Sequence, residues 1–204
     1  MDDTLPTRLT LLSRLKDRDD QDSWKDFFDT YWKLLFNTAL KAGLDDAEAQ
    51  EVVQDTVICV CKEMADFAHN SRKGSFKKWL LTLTRHRIID QLRKRKPVFR
   101  PPERPRDETR QTATLDRIPD PVPSLDRIWD EEWRQNLMET ALERVKRQVD
   151  PKHYQIFDLY VLRQWRISKI SKALQVSPAR IYLAKHRVAA LVKKQIKLLE
   201  SRNI

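Results

Sequence analysis

Apolar residues along this chain recur at spacings of three, four and five, in runs long enough for helices. A helix from Asp22 or Ser23, either of which can cap it, to about Ala42 carries Trp24, Phe27, Phe28, Tyr31, Trp32, Leu35, Phe36 and Ala39 as one wide stripe. That aromatic density reads as core, and Gly43 is placed to end the helix. A second helix, from Asp45 to about Phe67, buries Val52, Val53, Thr56, Val57, Val60, Met64 and Phe67. After a polar loop at residues 68–73, Ser75 can cap a third helix, on which Trp79, Leu80, Leu83, Ile88, Ile89 and Leu92 share one side. Pro97 closes it, because proline disfavours helical geometry at the preceding residue. Residues 5–15 predict a short leading helix and residues 17–22 an acidic loop.

The later part of the chain repeats the helical period. From about Leu125 to Val149, the apolar side is Ile128, Trp129, Trp133, Leu137, Ala141, Leu142 and Val145. Asp150-Pro151 is a stop and restart, with Asp as cap and Pro as first helical residue. The helix that follows, to about Arg163, buries Tyr154, Ile156, Phe157, Leu159, Tyr160 and Leu162. A short helix at residues 167–174 turns Ile170, Ala173 and Leu174 inward. After a turn at Gln175-Val176, Ser177-Pro178 starts a last helix to about Leu199, with Ile181, Val188 and Leu191 packed inward.

Composition supports an all-α fold. The 204 residues include two glycines, where ordinary usage is roughly 7%; a sheet with tight hairpins needs more. Seven of the ten prolines fall between Pro97 and Pro123. That marks residues 98–125 as a semi-extended linker between a helical domain at 1–97 and a second at 126–204.

Charge then directs attention to two places. The formal net charge is +10. Between Arg72 and Arg100 eleven Lys/Arg face one acid, and between Arg163 and Arg202 eleven again face one; the rest of the chain is acidic on balance. Two basic blocks on an acidic body suggest two contacts on one polyanion, with affinity falling steeply as salt rises. In the first block, the third helix buries its apolar seam and turns Lys77, Lys78, Arg85, Arg87, Arg93, Lys94, Arg95 and Lys96 outward. Asn70, Ser71 and Arg72 at its entry suit the reading of a nucleobase and equally suit an ordinary capped loop. In the second, a short helix, a tight turn and a longer capped basic helix form a helix-turn-helix pattern, which places Arg180, Tyr182, Lys185, His186 and Arg187 toward the major groove.

Other chemistry finds little support. Cys59 and Cys61 stand two apart on a helix and cannot chelate one metal from it; they read as free thiols in a reducing compartment. The N-terminus lacks a signal-peptide pattern, and no apolar run approaches the roughly 20 residues that span a bilayer, so a cytoplasmic protein without membrane contact is expected. Asp45, Asp46, Glu48, Glu51 and Asp55 would be the ligands if the chain were a metal nuclease, but acids are commonplace in the first turns of helices. No cofactor and no enzymatic activity are expected.

Several segments together resemble the extracytoplasmic-function (ECF) sigma factors of bacterial RNA polymerase. In the first domain they are Ala49-Gln50-Glu51-Val52-Val53-Gln54-Asp55-Thr56-Val57, Phe67, Arg72-Lys73-Gly74-Ser75-Phe76-Lys77-Lys78-Trp79-Leu80 and Asp90-Gln91-Leu92-Arg93-Lys94-Arg95. In the second they are residues 168–177, leading into Lys185-His186-Arg187-Val188. The resemblance implies that Glu51, Gln54 and Asp55 dock on the core polymerase. It implies that Asn70, Ser71, Arg72, Lys77, Lys78, Arg85, Arg87, Gln91, Arg93 and Lys94 bind and help open the minus-ten promoter element. Ser177, Arg180, Tyr182, Lys185, His186 and Arg187 would bind the minus-thirty-five element, and an anti-sigma factor is a further partner it allows. Gln175 stands where the family usually has Gly, so a left-handed turn there is costly and a slightly different turn is expected. The alternative is a stand-alone helix-turn-helix regulator that needs no polymerase.

Overall fold

The computed structural model describes residues 14–17, 19–69, 75–95 and 124–200. Among them the chain is all-α, with seven α-helices, one π-helical turn and no strand. The helices are α1 (Gln21–Lys41), α2 (Asp46–His69), α3 (Phe76–Arg95), α4 (Leu125–Gln148), α5 (Pro151–Phe157), α6 (Ile167–Leu174) and α7 (Pro178–Glu200). Most of the expected leading helix, the loop with Asn70, Ser71 and Arg72, and nearly all of the proline-rich stretch lie outside the described residues.

Contacts divide the described chain into two units, the first Arg14–Trp133 and the second starting at Arg134. In the first, α1 starts two or three residues earlier than the sequence suggests. Asp20 caps it, accepting from the Ser23 amide at 3.0 Å and the Ser23 hydroxyl at 2.9 Å. The two candidate caps, Asp22 and Ser23, fall inside the first turn, where Ser23 is buried. The Arg14 guanidinium grips both Asp20 oxygens, at 2.8 and 3.0 Å, and with the Ser23 amide holds that carboxyl down to about 2. At the far end Gly43 sits at φ +95°, a conformation open to glycine and strained for other residues. Asp45 and Glu48 then form a reciprocal capping box on α2, each side chain accepting from the other's amide at 2.9 Å.

The core of this unit is Phe27, Tyr31, Leu34 and Leu35 from α1, Val52, Val60 and Met64 from α2, and Phe76, Trp79, Leu80, Leu83, Ile88 and Ile89 from α3. Phe76 meets Phe27 edge-on at 6.4 Å and Tyr31 at 5.4 Å. The aromatic stripe of α1 is not all core. Phe28 is 44% exposed, and Trp32 and Phe36 are half-buried. Phe28, Trp32 and Phe36 recur every four residues and form a second strip beside the buried Phe27, Tyr31, Leu34, Leu35 and Thr38. One helix face cannot bury both strips.

Helix α4 is shared between the units. Leu125 is fully buried in the cluster that holds Ala39, Ala49, Val52 and Ile88, and Trp133 stacks on Tyr31 at 5.8 Å. The first turns of α4 thus complete the core of α1–α3, although the apolar period along the sequence shows no break at Trp133. Within that unit Asp150 caps α5, accepting from the amides of Lys152 and His153 at 2.9 and 3.2 Å, with Pro151 as first residue. Helix α5 widens into a π-helical turn, Asp158–Leu162. A π-turn shifts the helical register, which accounts for Leu162 being 46% exposed where the period predicted burial. Ala173 is also exposed, and Leu174 half-buried. Ile156, Leu159, Ile170, Val176, Ile181 and Ala184 form the core.

Two outcomes follow. Leu125→Ala lowers the stability of the first unit by about 2–5 kcal/mol, the range for a buried leucine truncated in a packed core; urea unfolding followed by tryptophan fluorescence measures it, and an unchanged midpoint contradicts the packing. Because the Asp20 carboxyl is held below its ordinary 3.8, the stability it contributes is complete above that pH and is lost as pH falls through about 2. Asp20→Asn is expected to flatten thermal stability across that acid window, which a series of melting curves checks.

Candidate nucleic-acid interface

Helix α3 has the two sides the sequence implies, but its cations are largely matched. Lys77 pairs with Asp130 at 2.5 Å and Arg85 with Asp126 at 2.7 Å, both acids on α4. Arg87 reaches Asp90 at 3.4 Å and donates to the Cys59 sulfur at 2.9 Å. Arg95 bonds Glu48 of the α2 capping box and donates to the Gly43 carbonyl at 2.8 Å. The Glu48 carboxyl is held below its usual range, first by Arg95 and then by the Asp45 amide. Lys78 and Arg93 are exposed. The basic side is therefore a lattice of surface ion pairs with α2 and α4. Surface pairs of this kind are individually weak and screened by salt.

Gln91 occupies a different environment from its neighbours. It is buried, and its amide donates to Glu51 at 2.8 Å. Lys94 reaches the same Glu51 oxygen at 3.4 Å. Glu51 therefore ties α2 to α3, while Gln54 and Asp55, one turn further on, are exposed with no ion-pair partner among the described residues. Gln54 lines an open apolar groove of about 690 Å³ with Phe28, Trp32 and Phe36 from α1 and Val53, Val57 and Ile58 from α2. Reading α1's aromatics wholly as core missed this groove. Its signal was present in the surplus of large apolar residues over what one face of α1 can bury. His86, half-buried on α3, is held below its ordinary value by that burial, against the pull of Asp90.

In the second unit, α6 ends at Gln175, which adopts the left-handed conformation at φ 52° and ψ 49° despite being no glycine. The costly turn forms after all. The amides of Gln175 and Val176 both donate to the Ser171 carbonyl, and Val176 is buried behind the turn. That burial offsets a left-handed cost of roughly 1–2 kcal/mol. Ser177 then caps α7, its side chain accepting from the Arg180 amide at 3.4 Å. Arg180, Tyr182, His186 and Arg187 are exposed on the early turns of α7. Lys185 is half-buried over the Tyr160 ring at 5.7 Å, and Tyr160 meets Tyr182 edge-on at 6.0 Å. Leu183 of α7, a large apolar side chain, is 67% exposed. It stands three residues after Arg180 and four before Arg187, on the same face.

No described helix is long and apolar enough to cross a membrane. Residues 27–98 match the family model described as Sigma-70 region 2, which spans most of α1 and all of α2 and α3. No curated protein matches the chain. The matched segment is about a third of the 204 residues, and this part of the chain is similar to region 2 of sigma-70 factors.

The Glu51–Gln91 contact gives a direct test. Glu51→Ala leaves a buried amide without its acceptor and is expected to lower stability by about 1–3 kcal/mol. Chemical unfolding measures it, and the companion Asp55→Ala should change little.

Proposed function

We propose that the chain is a sigma factor of the ECF type, which binds core polymerase through its first unit and grips promoter DNA at two elements. The observation that carries this reading is the succession of a region 2 match on α1–α3, a proline-rich stretch, and a second unit of short helix, left-handed turn and capped basic helix. In this reading Gln54 and Asp55, exposed beside the apolar groove, dock on the polymerase, and Glu51 holds the docking helix against α3. Lys78 and Arg93, both exposed, offer cations for the minus-ten element. Lys77, Arg85, Arg87 and Lys94 join them where phosphate replaces their carboxylate or thiol partners. Gln91 acts from behind, by fixing Glu51. Asn70, Ser71 and Arg72 at the entry of α3 complete the minus-ten surface.

The second unit is then a helix-turn-helix that lays α7 in the major groove of the minus-thirty-five element. Ser177, Arg180 and Arg187 would contact phosphates and base edges, and Tyr182, Lys185 and His186 would do so from the adjoining strip. Two modest DNA contacts on one tether gain avidity only when both sites are within reach, and polymerase sets that reach. A stand-alone regulator has no need of the region 2 match, so the sigma reading is favoured. A further partner in this reading is an anti-sigma factor.

Asp55→Lys is expected to weaken capture of core polymerase in a pull-down while leaving the circular dichroism spectrum unchanged; undiminished capture contradicts the docking role. Arg187→Ala is expected to reduce the slope of log affinity against log salt for promoter duplex by about 0.9, the loss of one phosphate contact. An unaltered slope means that Arg187 does not touch DNA.

A further inference from the structure

The acids opposite α3 occupy a regular arrangement. Asp126 and Asp130 are four residues apart on α4, hence on one face. Arg85 and Lys77 are eight apart on α3, about two turns, and also share a face. Asp126 pairs with Arg85 and Asp130 with Lys77, so the pairs run in opposite order along the two helices. The neighbouring residues of α4 hold it there. Leu125 and Trp129 are fully buried, Trp133 stacks on Tyr31, and Lys41 bonds the nearly buried Glu132. Lys77 also lies 5.7 Å from the Trp133 ring.

We propose that the first two turns of α4 form a built-in electrostatic mask, whose Asp126 and Asp130 carboxylates occupy the phosphate positions of Lys77 and Arg85 and compete with nucleic acid for them. The proposal rests on the nucleic-acid reading of α3. The buried anchors keep both carboxylates beside the basic helix, and the pairs themselves are easily exchanged. Asp126 is 73% and Asp130 59% exposed, and their cations Arg85 and Lys77 are 30% and 29% exposed. Side chains this accessible can rotate away without α4 leaving its seat. A phosphate oxygen offers the same charge and hydrogen-bonding capacity as the carboxylate that it replaces. The mask lowers affinity for any polyanion and leaves the highest affinity to a ligand that also engages the unmasked Lys78 and Arg93.

The test compares three forms of the full chain: the natural sequence, Asp126→Asn with Asp130→Asn, and Glu139→Gln with Glu143→Gln as a control of equal charge change on the later turns of α4. Each is titrated with a fluorescein-labelled single-stranded oligodeoxynucleotide at several salt concentrations, and anisotropy is read. The unmasked form is expected to bind roughly two- to thirtyfold tighter than the control, the combined weight of two exposed ion pairs. Its salt slope should be steeper by about 1.4, two further phosphate contacts on a single strand. Equal affinity and slope in the unmasked and control forms overturn the mask, as does failure of every form to bind at low salt. Capture of core polymerase by the same three proteins reports separately on the sigma reading. If capture is retained and the slopes do not differ, the mask alone fails. If capture is lost and the unmasked slope is steeper, the sigma reading fails and the mask stands.

Discussion

Helix α3 has to bury Trp79, Leu80, Leu83, Ile88 and Ile89 while carrying a dense set of cations on its other side, and the first unit is arranged around that requirement. Burial fixes the helix rotationally, since moving it would expose large apolar side chains at roughly 25 cal/mol for each Å² returned to water. With the helix fixed, Lys77, Arg85, Arg87, Lys94 and Arg95 cannot disperse, and their mutual repulsion must be met locally. The structure meets it with Glu48 and Glu51 from α2, Asp90 from α3 itself, and Asp126 and Asp130 from α4. The same acids do other work: Glu48 closes the capping box of α2, and Glu51 satisfies the buried Gln91 amide. Stability and the proposed polyanion surface thus draw on one set of groups.

The second unit solves a different problem, that of presenting a basic helix at a fixed angle with little apolar material. Its solutions are local. Asp150-Pro151 and Ser177-Pro178 start helices at defined residues, and the Gln175 turn holds α6 against α7 over the Ile170, Val176 and Ile181 core. Tyr160, Tyr182 and Lys185 extend this order to the surface of α7. A side chain whose rotamers are restricted before binding loses less entropy on contact.

Features set by short-range chemistry were legible in the sequence. The starts at Pro151 and Pro178, the glycine after α1 and the bounds of α6 agree with the structure to within a residue, because caps and prolines act on their own neighbours. The inward side of α3 was legible for the same reason, since its period has a single solution. What escaped depended on a partner far along the chain. Periodicity cannot say that the first turns of α4 complete the core of α1–α3, nor that Arg85 meets Asp126, forty-one residues away. Gln91 looked like one more polar residue on a basic helix until Glu51 was seen to receive it. Phe28, Trp32 and Phe36 looked like core because a helix with two adjoining apolar strips resembles one with a single wide strip. Leu162 turned outward because a π-turn, which no pattern announced, changed the register.

The region 2 match and the second basic unit together carry the proposed role, that of choosing where transcription starts. The most direct measurement is transcription in vitro from fragmented genomic DNA, with core RNA polymerase alone and with the purified chain added, mapping the 5′ ends of the products. A discrete set of new start sites, sharing two sequence elements at constant separation and lost at high salt, is the predicted result. The same scattered initiation with and without the chain would contradict it.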